Sequence, residues 1–210
     1  EIEGVKRLHD VEFTLPPDRI VTGTYMAAVA AAGGDVILRN SPVHHIDSVI
    51  RVLKKVGCDI RSADGDIRIK CDRRPLPLEN LKTQPYPGFP TDMQSQLMTV
   101  LSLADGKSTI IETIFESRFQ NAYELKKMGA RITVQEKENK AIISGVRKLT
   151  GATVKAHDLR AGAALVIAGI AAEGTTIIKE ADTIERGYED ICRDFKSLGA
   201  DVCFCSENII

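Results

Sequence analysis

Nothing constrains this chain more than a phrase written three times. Val56-Gly57-Cys58-Asp59-Ile60, Met128-Gly129-Ala130-Arg131-Ile132 and Leu198-Gly199-Ala200-Asp201-Val202 are one text with substitutions. Other landmarks keep step with it. Helix starts are expected at Asp18, Asp92 and Asp158, and glycines ahead of the next strand stand at Gly34, Gly106 and Gly174, with successive landmarks 66 to 74 residues apart. That period exceeds the roughly 20–50 residues of ordinary solenoids. The pattern therefore predicts three βαβαββ-like units about a pseudo-threefold axis, at residues 11–78, 79–148 and 149–210.

Within each unit the two helices differ. Stretches such as Gly162 to Ala172 are apolar on nearly every face and rich in small residues, which places the first helices inside. Second helices, such as 47–56 and 188–198, have a charged side. A hairpin is expected at 59–62 and 66–70, turning through Ala63-Asp64-Gly65. Residues 2–8 and 11–15 read as short strands or a connector. Buried helices wrapped by sheets make an inside-out α/β barrel, one domain over 1–210.

Composition narrows the function classes. The formal net charge of -1 offers no overall field for nucleic acid. No uncharged apolar run of about 18 residues and no basic leader are present, so no membrane association is expected and the cytoplasm is the expected location. Five cysteines without a C-x-x-C pair argue against a zinc site and a disulfide framework; they are expected as small buried hydrophobes. Neither His44-His45 nor Gly106-Lys107-Ser108 has the partners that a metal site or a phosphate loop needs, and no cofactor or metal is called for. The chain opens on Glu1, so it is expected to be processed or to be a piece of a longer one.

The chemistry gathers at Pro87-Gly88-Phe89-Pro90-Thr91-Asp92-Met93. Prolines and a glycine fix an extended approach, and Thr91 or Asp92 is expected to cap a helix over 93–104. If the three first helices are parallel, their N-termini share one end, where convergent dipoles and free N–H groups suit an anion. Arg160 is electrostatically misplaced in a first turn and so needs a partner. Arg118, in Glu116-Ser117-Arg118, and Arg186, in Glu185-Arg186, occupy corresponding loops of units two and three. Either these arginines form structural salt bridges or, with Asp92, they make an anion site beside a carboxylate; a guanidinium fork suits carboxylate or phosphate.

These same residues carry a resemblance. Phe89-Pro90-Thr91-Asp92-Met93-Gln94, Glu112-Thr113-Ile114-Phe115-Glu116-Ser117-Arg118-Phe119, Asp158-Leu159-Arg160-Ala161 and Arg186-Gly187-Tyr188-Glu189 resemble the enolpyruvyl transferase family. The likeness is nearer to the branch that acts on UDP-N-acetylglucosamine in peptidoglycan synthesis than to the shikimate branch. It implies a two-domain fold with the active site between the domains. Asp92 would contact the sugar 3-hydroxyl as candidate general base, and the Ile114 backbone would touch substrate. Arg118 and Arg160 would hold the phosphoenolpyruvate carboxylate, and Arg186 would lie near its phosphate. The family's other half, with its mobile loop and most uridine contacts, has no counterpart here, so the resemblance implies one domain that is inactive alone. Its expected partners are UDP-N-acetylglucosamine, phosphoenolpyruvate and an N-terminal domain. A non-catalytic anion- or partner-binding module on the same fold, or a shikimate-3-phosphate enzyme, are the alternatives.

Overall fold

The computed structural model describes residues 1–205. Residues 1–17 carry no helix or strand and are exposed throughout, so the strands considered at 2–8 and 11–15 do not form. Chain order then follows the repeat. Helix α1 (Arg19–Ala32) leads into strand β1 (Gly34–Leu38), helix α2 (Asp47–Lys55) and the hairpin of β2 (Asp59–Ala63) and β3 (Asp66–Cys71). After β4 (Leu81–Lys82) the same order returns as α3 (Gln94–Ser102), β5 (Lys107–Ile111), α4 (Asn121–Lys127), β6 (Arg131–Gln135) and β7 (Lys140–Ser144). It begins again through β8 (Leu149–Thr150) and β9 (Thr153–Lys155) to α5 (Leu159–Ala171), β10 (Ala172–Glu173), β11 (Ile177–Lys179) and α6 (Ile191–Ser197).

The first two sheets repeat one topology. In the first, β3 lies between β1 and β2, antiparallel to both, with Gly34 opposite Cys71 and Asp59 opposite Lys70. In the second, β7 lies likewise between β5 and β6, and β4 adds parallel to β5. The third segment has two short parallel pairs, β8 with β10 and β9 with β11. No hairpin follows α6 among the described residues; the remainder of the expected third unit, 206–210, lies outside them.

Helices α1, α3 and α5 pack on one another in every pairing and make the core. Met26, Ala27, Leu97, Leu101, Ala163, Leu165 and Ile167 have no exposed surface. Fully burying a Leu or Met side chain stabilises the fold by roughly 1.5–3 kcal/mol, and all nine residues of α3 are buried. The sheets and the amphipathic helices α2, α4 and α6 cover this bundle, as an inside-out α/β arrangement requires. Small residues allow the close approach: a Cβ at Gly23 would come within 2.8 Å of Met93 Sδ, and one at Gly162 within 2.6 Å of Ile184 Cγ1.

Two helix starts match the sequence and one does not. Asp18 caps α1 by accepting from the Ile20 and Val21 amides, and Asp158 caps α5 by accepting from those of Arg160 and Ala161. Thr91–Met93 instead forms a 3-10 turn running into α3, and neither Thr91 nor Asp92 caps it with a side chain. Helix α6 starts three residues later than the expected 188, because Asp190 caps it through the Arg193 amide while Tyr188 is drawn inward. Of the cysteines, Cys58, Cys71 and Cys192 are buried as expected, but Cys203 and Cys205 are exposed.

Candidate active site

The N-terminal turns of the three buried helices meet at one end of the bundle. Gln96, in the first turn of α3, donates from Nε2 to Thr24 Oγ1 of α1 at 3.2 Å. The Thr24 hydroxyl and the Tyr188 phenol share a hydrogen bond of 2.7 Å. Burial pushes the Tyr188 phenol above its ordinary value, against the pull of Thr24, Arg160 and Gln96. Buried Tyr188 is thus tied to α1 through Thr24 and, through the same hydroxyl, to Gln96 of α3.

Above this layer stands Asp92. Its Oδ1 accepts from Arg118 Nη2 at 3.0 Å and its Oδ2 from Arg160 Nη2 at 3.2 Å. This explains why Asp92 leaves the amides of α3 alone: two guanidinium groups outcompete them for its oxygens. The explanation also covers the misplaced Arg160. The positive end of α5 is met first by Asp158 at its cap and then by Asp92 across the gap. Asp92 retains 38% of its side-chain exposure, whereas Arg118 and Arg160 keep 24% and 19%. The acid is open to solvent and its cations are half sheltered. A guanidinium has five N–H donors, and Asp92 engages one nitrogen of each arginine, so both forks keep donors for a second anion.

Arg118 is set by its loop. Ser117 adopts a left-handed backbone, φ 54°, which turns the chain between the loop and α4. The guanidinium then lies 5.2 Å from the centroid of the Phe115 ring, a cation–π contact worth about 0.5–1 kcal/mol at an exposed site. Ile114 and Phe115 are both exposed at this rim. Their amides point inward to Glu112, a buried carboxylate the sequence reading passed over.

Arg186 behaves differently. It ends the 3-10 turn Ala181–Arg186 that packs on α5, and the next residue, Gly187, lies against Leu159 at the start of that helix. It is exposed, and among the described residues it makes no ion pair. Of the three arginines expected around Asp92, two bind it and the third stands at the same helix end without touching it. Also among the described residues, no three His, Cys, Asp or Glu side chains converge to hold a metal, and no helix is long and apolar enough to cross a membrane.

The arrangement offers one solvent-facing carboxylate to take a proton and two partly sheltered guanidinium groups to hold an anion beside it. Comparison with known proteins identifies the family. The family model described as EPSP synthase (3-phosphoshikimate 1-carboxyvinyltransferase) matches residues 1–195. A UDP-N-acetylglucosamine 1-carboxyvinyltransferase 2 of Caldanaerobacter subterraneus is 49% identical over 96% of the chain, and a UDP-N-acetylglucosamine 1-carboxyvinyltransferase of Granulibacter bethesdensis is 46% identical over the same share. The chain spans about half the length of these curated relatives, 48% and 47%. Among solved structures, the enolpyruvyl transferase NikO from Streptomyces tendae superposes with a TM-score of 0.81 at 26% identity, over 90% of this chain and 44% of that one. An EPSP synthase from Acinetobacter baumannii, 22% identical with a TM-score of 0.70 over 90% of this chain and 48% of that one, shares the fold. The inside-out architecture, the buried helix ends and these matches together place the chain in the EPSP synthase family of enolpyruvyl transferases.

Proposed function

We propose that the chain is one domain of a transferase that moves the enolpyruvyl group of phosphoenolpyruvate to the 3-hydroxyl of UDP-N-acetylglucosamine, a cytoplasmic step in peptidoglycan precursor synthesis that supports cell shape and division. The observation that carries this reading is Asp92 held between Arg118 and Arg160, in a chain whose relatives are named for that reaction.

In the proposed mechanism Asp92 accepts the proton of the sugar 3-hydroxyl as its oxygen bonds to C2 of phosphoenolpyruvate. The former double bond takes a proton at C3, which gives a tetrahedral adduct. Loss of a proton from C3 with departure of phosphate then restores the double bond on the sugar oxygen. Arg118 and Arg160 hold the carboxylate attached to C2, using the donors that Asp92 leaves available, and Arg186 meets the phosphate from the end of its 3-10 turn. Fixed cations in a partly sheltered site favour the added negative charge without reorganisation. On this reading most of the uridine contacts come from a second domain, and the 210 residues alone are expected to carry little or no transferase activity.

The test is phosphate release by the full-length protein. Release that requires both phosphoenolpyruvate and UDP-N-acetylglucosamine supports the proposal. Release with shikimate 3-phosphate in place of the sugar nucleotide assigns the chain to the other branch, and no release with either leaves a binding module on this fold.

A further inference from the structure

Glu112 follows the last residue of β5 and is only 2% exposed. Its Oε1 accepts from the Thr83 hydroxyl at 2.8 Å, the Ile114 amide at 2.8 Å and the Phe115 amide at 3.2 Å. Its Oε2 accepts from the Thr91 hydroxyl at 2.9 Å. The Glu112 amide donates to the Asn139 carbonyl at 2.8 Å, which anchors the backbone end as well. Among the described residues no cation pairs with this carboxylate. A buried charge without a cation is costly unless neutral donors surround it, and here four do.

What distinguishes these donors is where they come from. Thr91 is the residue before Asp92. Ile114 and Phe115 form the rim loop that leads to Arg118, and Phe115 underlies the Arg118 guanidinium. Thr83, beyond β4, cross-links the same loop, because its Oγ1 accepts from the Thr113 amide at 2.9 Å and its carbonyl accepts from the Thr113 hydroxyl at 2.5 Å. Segments remote in sequence, one bearing the acid and one bearing an arginine, are therefore tied to the two oxygens of one side chain. The hydrogen bond from Arg118 to Asp92 joins the same loop and turn directly, and Glu112 supplies a second, buried tie between them.

We propose that Glu112 is a positioning residue for the transferase reaction, setting the separation between Asp92 and the Ile114–Arg118 loop. It acts through Thr91 on the acid and through the two amides on the loop, and it touches neither substrate. This inference rests on the transferase reading given above. A carboxylate is suited to the task because it has no donor of its own to disturb the arrangement and accepts several hydrogen bonds at once, each strengthened by its charge. Glutamine of the same shape would turn an NH2 group toward one set of donors.

The experiment uses the full-length protein carrying Thr91→Val or Glu112→Gln. Displacing a reacting group by about 1 Å can cost as much as 100-fold in rate. Thr91→Val, which cuts only the tie to the acid, is expected to lower kcat about tenfold with KM for UDP-N-acetylglucosamine within about twofold of the parent. Glu112→Gln cuts into both ties, and is expected to lower kcat at least as far, to raise that KM about fivefold or more, and to speed deuterium exchange at the Ile114 and Phe115 amides about tenfold. Unchanged kcat in Thr91→Val overturns the proposal, as does a Glu112→Gln protein whose kinetics per folded molecule match the parent. Should Glu112→Gln fail to fold, Thr91→Val decides alone. Should the parent release no phosphate, the transferase reading fails, and unchanged exchange at the two amides in Glu112→Gln then shows separately that Glu112 does not hold the loop.

Discussion

Arg160 and Asp92 stand 68 positions apart in the chain and meet through a hydrogen bond of 3.2 Å. Arg118, 26 positions from Asp92, closes on the other oxygen at 3.0 Å. The first contact depends on α3 and α5 packing with their N-terminal ends together, since Arg160 leaves from the first turn of α5 and Asp92 from the turn that opens α3, whereas Arg118 reaches the acid from the loop ahead of α4. The site is thus a direct product of how the buried helices are oriented.

Asp92→Asn in the full-length protein separates proton removal from binding. The amide keeps the shape and one acceptor but cannot take the hydroxyl proton. General-base catalysis contributes about 10²–10⁴-fold, so kcat for phosphate release is expected to fall at least about 100-fold, with sugar nucleotide still binding by calorimetry. A fall in affinity matching the fall in kcat would instead give Asp92 a binding role only.

Lysine at either arginine keeps the charge and loses the fork. Arg118→Lys and Arg160→Lys are each expected to raise KM for phosphoenolpyruvate about tenfold or more, equivalent to roughly 1.4 kcal/mol. Arg118→Lys also alters the contact with Phe115. Steady-state kinetics with phosphoenolpyruvate varied at saturating sugar nucleotide reads this out.

Acid stability provides a test away from the site. Burial alone would raise the Glu124 carboxyl, but hydrogen bonds from Lys127, the Lys155 amide and His157 outweigh it and hold the group below its ordinary 4.5. A carboxylate lowered in the folded state adds stability above that ordinary value, and the contribution disappears as pH falls through the lower folded one. Glu124→Gln is therefore expected to cost about 1–3 kcal/mol near neutral pH and to show a shallower loss of stability below about pH 4.5 than the parent. Urea midpoints measured from pH 3 to pH 7 in the parent and variant check both parts.

Gly145 tests the packing between α3 and the second sheet. A Cβ there would collide with the carbonyl of Ala104, which is backbone and cannot swing away. Gly145→Ala is expected to destabilise the chain by about 1–3 kcal/mol, the range for overpacked positions. Gly129, with open space around it but φ of 90°, should lose less on the same change, because the strain is confined to its own backbone. Thermal unfolding of the two variants side by side measures the difference.

Much of this was readable from residue order. The repeated glycine phrase marks turns at Gly57, Gly129 and Gly199, all at positive φ, and the apolar first helices are buried as their composition requires. Asp18 and Asp158 cap as local rules predict. Asp92 does not, because its partners come from distant segments and outbid the nearby amides, a choice that only tertiary packing makes. The same limit hid Glu112 and Tyr188. Glu112 looks in sequence like an ordinary acid at the end of a strand and Tyr188 like the first residue of a half-exposed helix, and each is buried by elements that arrive from elsewhere. A clue was present in Glu112, which directly follows the four-residue β-prone run Ser108 to Ile111.

The most direct measurement is a crystal structure of the full-length protein with UDP-N-acetylglucosamine and an unreactive phosphoenolpyruvate analogue. The account predicts an Asp92 carboxylate oxygen within about 3 Å of the sugar 3-hydroxyl, with Arg118 and Arg160 turned onto the analogue's carboxylate. Ligands seated away from this helix end, with Asp92 holding both arginines as before, would contradict it.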